Sequence, residues 1–227
     1  MRARVEDAGT YHYLLNGVPM DIEESWRRRQ QAPGEWWISS QRRAGGVEIG
    51  VDASVVDGLV TGFVVAWQGD TAKLRANYTL LSNRVRIERT RNGADPESMD
   101  IALRNDNPAP LLFPLMRIFS GPLIAELLDR NGVGHVLVPS IVDPESPEEL
   151  LTPMVSERSV RVVEANVILE SDGVSRKCRR CEYQGDQYGP GTEFWLGDDN
   201  LLLRYCWQQS PQQHWDVWLR RGESTNQ

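Results

Sequence analysis

Three side chains in this sequence could move a proton in otherwise apolar surroundings. Glu24 stands in the segment Met20–Arg28, where strand alternation puts it on one face with Met20, Ile22 and Trp26. A carboxylate among apolar neighbours has a raised pKa and suits general acid or base work. His214 and Asp216 are two residues apart, hence on one face of a strand, where a carboxylate can orient an imidazole. Plainer roles compete with these: Glu24 paired with an arginine, His214 exposed at a strand start. His12, between Tyr11 and Tyr13, is a further candidate of the same kind. The chain also holds eight tryptophans, which fill cores and line apolar pockets with a spare N–H donor. The expected ligand-lining set is Trp26, Trp67, Tyr78, Phe119, Tyr205 and Trp207.

The familiar motifs of cofactor chemistry are missing. No nucleophile elbow, phosphate loop, HExxH or GxGxxG-plus-helix occurs, and Gly185–Gly191 reads as a long hairpin loop. Cys178 and Cys181 form a CxxC, but inside an extended segment where residues three apart point to opposite faces. With a lone third cysteine, Cys206, and scattered histidines, no metal site and no disulfide framework is expected. No cofactor is expected either. The net charge of −7 argues against binding a phosphate backbone, so nucleic acid is not an expected partner. No stretch reaches the roughly 18 apolar residues of a membrane span. The N-terminus has basic residues without an apolar run, so a cytoplasmic location is expected.

The elements that must position these residues are mostly strands. Turn pairs recur at Asn16-Gly17, Pro33-Gly34, Gly45-Gly46, Asp57-Gly58, Gly69-Asp70, Asn92-Gly93, Asp172-Gly173 and around Gly197–Asn200. Between them apolar residues alternate: Val47, Ile49, Val51, Ala53 and Val55; then Phe63, Val65 and Trp67; then Leu74, Ala76, Tyr78 and Leu80. Period-two patterning at such spacing is the mark of an antiparallel barrel, half-barrel or sandwich. One interruption stands out. Leu111, Leu112, Leu115, Met116, Ile118 and Phe119, then Leu123, Ile124, Leu127 and Leu128, follow a helical period. The pattern predicts a helix pair broken at Gly121-Pro122 and capped by Asn131-Gly132. With 227 residues, 40 % of them hydrophobic, one large core can be buried. The expected fold is mainly β: one domain, a single curved antiparallel sheet forming a half-barrel or open barrel, closed by a helical insertion at about 110–131.

This order of elements resembles the lipoprotein-carrier fold, a curved antiparallel half-barrel closed by helices. The opening Tyr11-His12-Tyr13-Leu14-Leu15-Asn16-Gly17-Val18-Pro19-Met20 looks like the start of bacterial half-barrel proteins. The ending Thr192-Glu193-Phe194-Trp195-Leu196-Gly197-Asp198-Asp199-Asn200 resembles their closing hairpin. The resemblance rests on architecture and carries over no catalytic residue. It implies a hydrophobic small molecule or acyl chain held between sheet and helices. The same layout also hosts a cofactor-independent enzyme of violacein biosynthesis, so a cyclase or isomerase of secondary metabolism is the alternative. In that case Glu24 or His214 would move the proton.

Overall fold

The strands succeed one another through tight turns, and the turn chemistry explains why. Asn16 and Gly17, Asp57 and Gly58, and Asn92 and Gly93 all take positive φ, the conformation that matches hairpin turns to strand twist. The computed structural model describes residues 6–70, 72–103, 108–143, 146–171 and 173–221. Asp172 of the expected Asp172-Gly173 turn and the first five residues lie outside this set.

The elements are β1 (Glu6–Leu15), β2 (Val18–Ala32), β3 (Glu35–Ala44), β4 (Val47–Val56), β5 (Leu59–Gln68), β6 (Lys73–Leu80), β7 (Arg84–Arg91) and β8 (Glu97–Ala102). Then follow β9 (Leu111–Leu112), a 3-10 turn (Arg117–Phe119), helix α1 (Ser120–Asp129), β10 (Val133–Pro139), β11 (Pro153–Ser171), β12 (Val174–Gln184), β13 (Glu193–Gly197), β14 (Leu202–Ser210) and β15 (Gln213–Arg221). All fifteen strands belong to one sheet, in the order β8-β7-β6-β5-β4-β3-β2-β1-β15-β14-β13-β12-β11-β10-β9. Every neighbouring pair is antiparallel except β9 and β10. The described residues are therefore mainly β, with one short helix.

Two arms of the sheet meet at a seam between β1 and β15, running from Gly9 opposite Arg221 to Leu15 opposite Trp215. Bulges at His12/Leu14, Ser54/Val55 and Trp195/Leu196 bend the strands and sharpen their twist. The far ends of the arms curl together: β9 lies beside β5. Tyr78 Oη of β6 donates to the Leu151 carbonyl at 2.7 Å, and Arg89 of β7 donates to the Leu150 carbonyl at 3.1 Å. The inner faces share one core, with Trp26, Val51, Val65, Leu137, Leu196, Tyr205 and Val217 among its buried members.

The helical insertion is shorter than the apolar spacing predicts. Residues 111–116 are not helical. Leu111 and Leu112 pair with Val136 and Leu137 as a parallel strand. Pro114 has no amide to donate, and Leu115 takes φ 67°, so no helix can run through them. A single helix begins at Ser120, and Pro122 falls in its first turn, where a proline costs no hydrogen bond. The C-terminus follows expectation: Asn131 and Gly132 have positive φ, and the Gly132 amide donates to the Leu127 carbonyl at 2.7 Å. Gly121 sits against the turn after β13. A Cβ built there would lie 1.8 Å from the Asn200 carbonyl oxygen.

Candidate functional site

Glu24 lies in the buried middle of β2 and is fully shielded from solvent. Two donors satisfy it. Tyr13 Oη donates to Oε2 at 2.6 Å, and the Arg117 amide donates to Oε1 at 2.5 Å. Arg42 Nη1 stands 3.8 Å from Oε2. Burial first, then the charge of Glu24, pushes the pKa of Tyr13 upward, so this phenol stays protonated as a donor. Glu24 thus ties β1, β2, β3 and the 3-10 turn before α1 to one point.

Arg117 carries that point to the cavity. Its side chain is buried, its Nη1 donates to Tyr188 Oη at 2.8 Å, and its guanidinium carbon lies 4.7 Å from the centre of the Tyr205 ring. Burial opposes its charge, but Tyr188, Tyr205, Tyr13 and Glu24 more than offset this, and its pKa is raised. Arg158 of β11 is also buried and holds the turn after β12, through the Gly185 carbonyl and Asp186 Oδ2, the latter at 2.9 Å. Nε of Arg117 and Nε of Arg158 are both buried without a hydrogen-bond partner.

Arg42, Arg117 and Arg158 open onto one cavity of about 510 Å³. Its floor and walls come from α1 (Ser120, Leu123, Ile124), β10 and the residues after it (Val136, Val138, Ser140, Ile141), and β11 (Met154). The far wall is Tyr183, Tyr188 and Phe194, whose rings pack on one another. The size falls within the ~300–1,000 Å³ of small-molecule sites, and apolar walls with a few polar groups are their usual make-up.

None of the six residues expected to contact a ligand lines this cavity. Glu24 is directly behind Arg42 and Arg117 and is not part of the lining. Tyr205 sits beneath Arg117, and Trp207 packs edge-on to Tyr188 with centroids 5.2 Å apart, so both support the wall from behind. Trp26 and Trp67 are core residues of the other arm. Tyr78 stacks on Phe63 at 4.6 Å in that arm, and Phe119 lines a separate cavity of about 150 Å³. His214 and Asp216 are not brought to Glu24 or to one another. His214 is exposed, with Nδ1 at 3.3 Å from Gln208 Oε1, and Asp216 is engaged by Arg204 at 2.8 and 3.0 Å. Arginine outcompetes imidazole for this carboxylate because its two N–H groups match both oxygens. Cys178 and Cys181 are buried free thiols whose pKa burial raises. No group of three His, Cys, Asp or Glu residues among the described residues could hold a metal.

The three arginines of the cavity lining lie outside the expected set, although the sequence carries a signal for them. Period-two phase puts Arg42 on the face of Ile38 and Ser40, and Arg158 on the face of Val160, all inward. Arg117 is the one charged residue in the apolar run Leu111–Phe119.

Sheet, helix and cavity together define a barrel-like β protein closed by one helix. Its fold is similar to that of the crystal structure of a beta-barrel-like protein of the domain of unknown function DUF1849 from Brucella abortus. The TM-score is 0.51 at 7 % identity, and the match covers 96 % of this chain and 97 % of that one. No protein-family model matches the chain. No curated protein matches it either.

Proposed function

We propose that this protein binds an apolar small molecule or acyl chain in the cavity between α1 and the arm from β10 to β14. The observation that carries this reading is the cavity itself: about 510 Å³ of space with Leu115, Ile124, Val136, Val138 and Phe194 on its walls. Apolar walls around space of that size favour a ligand that leaves water. The layout resembles the lipoprotein-carrier half-barrels, whose members carry lipids or lipoproteins, and that likeness supports the reading at the level of fold. The alternative, a cofactor-independent cyclase or isomerase, draws less support. Glu24 does not reach the cavity and its oxygens are already engaged, while His214 faces solvent.

A neutral fluorescent probe, N-phenyl-1-naphthylamine, tests the reading. Saturable binding of one probe per chain is expected, together with its loss in Ile124→Trp, which fills the cavity while keeping an apolar residue on α1. Absence of saturable binding, or equal binding by a folded Ile124→Trp variant, would overturn the proposal.

A further inference from the structure

A cavity meant only for hydrocarbon has no use for buried guanidinium groups. Burying a charge costs several kcal/mol unless a partner compensates it. Here Arg42, Arg117 and Arg158 line the cavity, with side chains mostly or fully withdrawn from solvent. The carboxylates in contact with them are Glu24 and Asp186. Among the contacts of the described residues, three cations against two anions leave one positive charge in excess.

The hydrogen bonds are similarly unbalanced. Arg42 meets Glu24 only at 3.8 Å, beyond hydrogen-bond reach. Arg117 spends Nη1 on Tyr188, and its Nε has no partner. Arg158 is fixed by Gly185 and Asp186, and its Nε is likewise unpartnered. Unpartnered buried Nε atoms also occur at Arg84, Arg179 and Arg180, outside this cavity, so the excess of positive charge beside apolar walls is what distinguishes the site.

We infer that the cavity takes an apolar molecule ending in a carboxylate, its head held by Arg42, Arg117 and Arg158 and its tail lying along Ile124, Val136 and Val138. This rests on the apolar-cavity reading above and names the ligand's head. A carboxylate supplies the one missing negative charge, and its planar pair of oxygens matches the guanidinium fork. A phosphate monoester, at about −1.5 to −2, would overshoot the single excess charge. Glu24 acts as a positioning residue: it holds the Arg117 backbone and faces Arg42 without touching the ligand.

Titration calorimetry with dodecanoate and dodecanol separates head from tail. Dodecanoate is expected to bind about tenfold or more tightly than dodecanol, the worth of a charge-assisted hydrogen bond. Arg42→Gln should abolish most of that preference, with a wild-type circular dichroism spectrum reporting that the variant is folded. If that variant fails to fold, the preference in the wild-type protein still decides the question. Equal affinity for the two ligands would overturn the carboxylate while leaving the apolar cavity intact. A preference unchanged in a folded Arg42→Gln and in Arg158→Gln would overturn the assignment to these arginines. Binding of neither ligand would overturn the cavity reading itself, and this inference with it.

Discussion

Because Glu24 accepts from Tyr13 Oη and from the Arg117 amide while facing Arg42, removing its carboxylate strands three partners at once. Glu24→Leu should destabilise the fold by about 3–5 kcal/mol, the cost of leaving a buried charge without its counterpart. Tyr13→Phe removes one donor and leaves the carboxylate its other contacts, so it should cost only about 1–2 kcal/mol. Urea unfolding of the two variants checks the ranking, and similar losses would show that Glu24 is not the hub. The inward phase of Glu24 was legible, since Trp26 shares its face of β2 and is buried beside it. Its partners were not. Arg117 is 93 residues away, and no local pattern brings those positions together. The aromatic residues illustrate a related limit of pattern: alternation separates inward from outward, but it does not separate a cavity wall from solid core, and Trp26, Trp67 and Tyr78 are packed in the core.

At the scale of elements, α1 is held by a contact that only glycine permits. Alanine at position 121 would gain up to about 1 kcal/mol of helix propensity. Its Cβ would also fall 1.8 Å from the Asn200 carbonyl oxygen, a backbone atom that cannot rotate aside. Overpacking of that kind costs about 1–3 kcal/mol, so the clash wins. Gly121→Ala should therefore lower the thermal midpoint, and a raised midpoint would mean that the helix is free to shift. The same close packing buries Ser120 and Gly121 at the start of the helix. Strands and their turns were legible because period-two alternation and turn pairs such as Asn16-Gly17 and Asp57-Gly58 act locally. The length of the helix was not, because leucines at helical spacing occur on both sides of Pro114 and Leu115, and φ at a leucine is decided by its tertiary surroundings.

At the scale of the whole molecule, the two arms are joined at the seam between β1 and β15, which no alternation could foretell. The seam pairs Gly9 with Arg221, and Tyr11 Oη reinforces it by donating to the Leu202 carbonyl at 3.1 Å. Asp199 pins the same region. It accepts from Arg28 of β2 at 3.1 Å, from Arg221 of β15 at 2.9 Å and from the Leu201 amide at 3.1 Å. Partial burial works against its ionisation, but the amide and the two arginines outweigh this and lower its pKa. A group with a depressed folded pKa contributes stability that is complete above its unfolded value, about 3.9, and is lost as pH falls through the folded value. Asp199→Asn should therefore lower the urea midpoint by a constant amount between about pH 5 and 7, with the gap closing below about pH 4. An equal gap at low pH would remove Asp199 from this role. The strand order has one more outcome, for behaviour at high concentration. A single sheet of fifteen strands has two terminal strands, where a second copy could add itself and begin a fibre. One is β9, two residues long and tucked beside β5. The other is β8, whose Glu97 and Asp100 pair with Arg89, Arg84 and Arg86 of β7. A short covered edge and one studded with charged side chains both discourage stacking, so a protein built almost wholly of strands is guarded against polymerising through them.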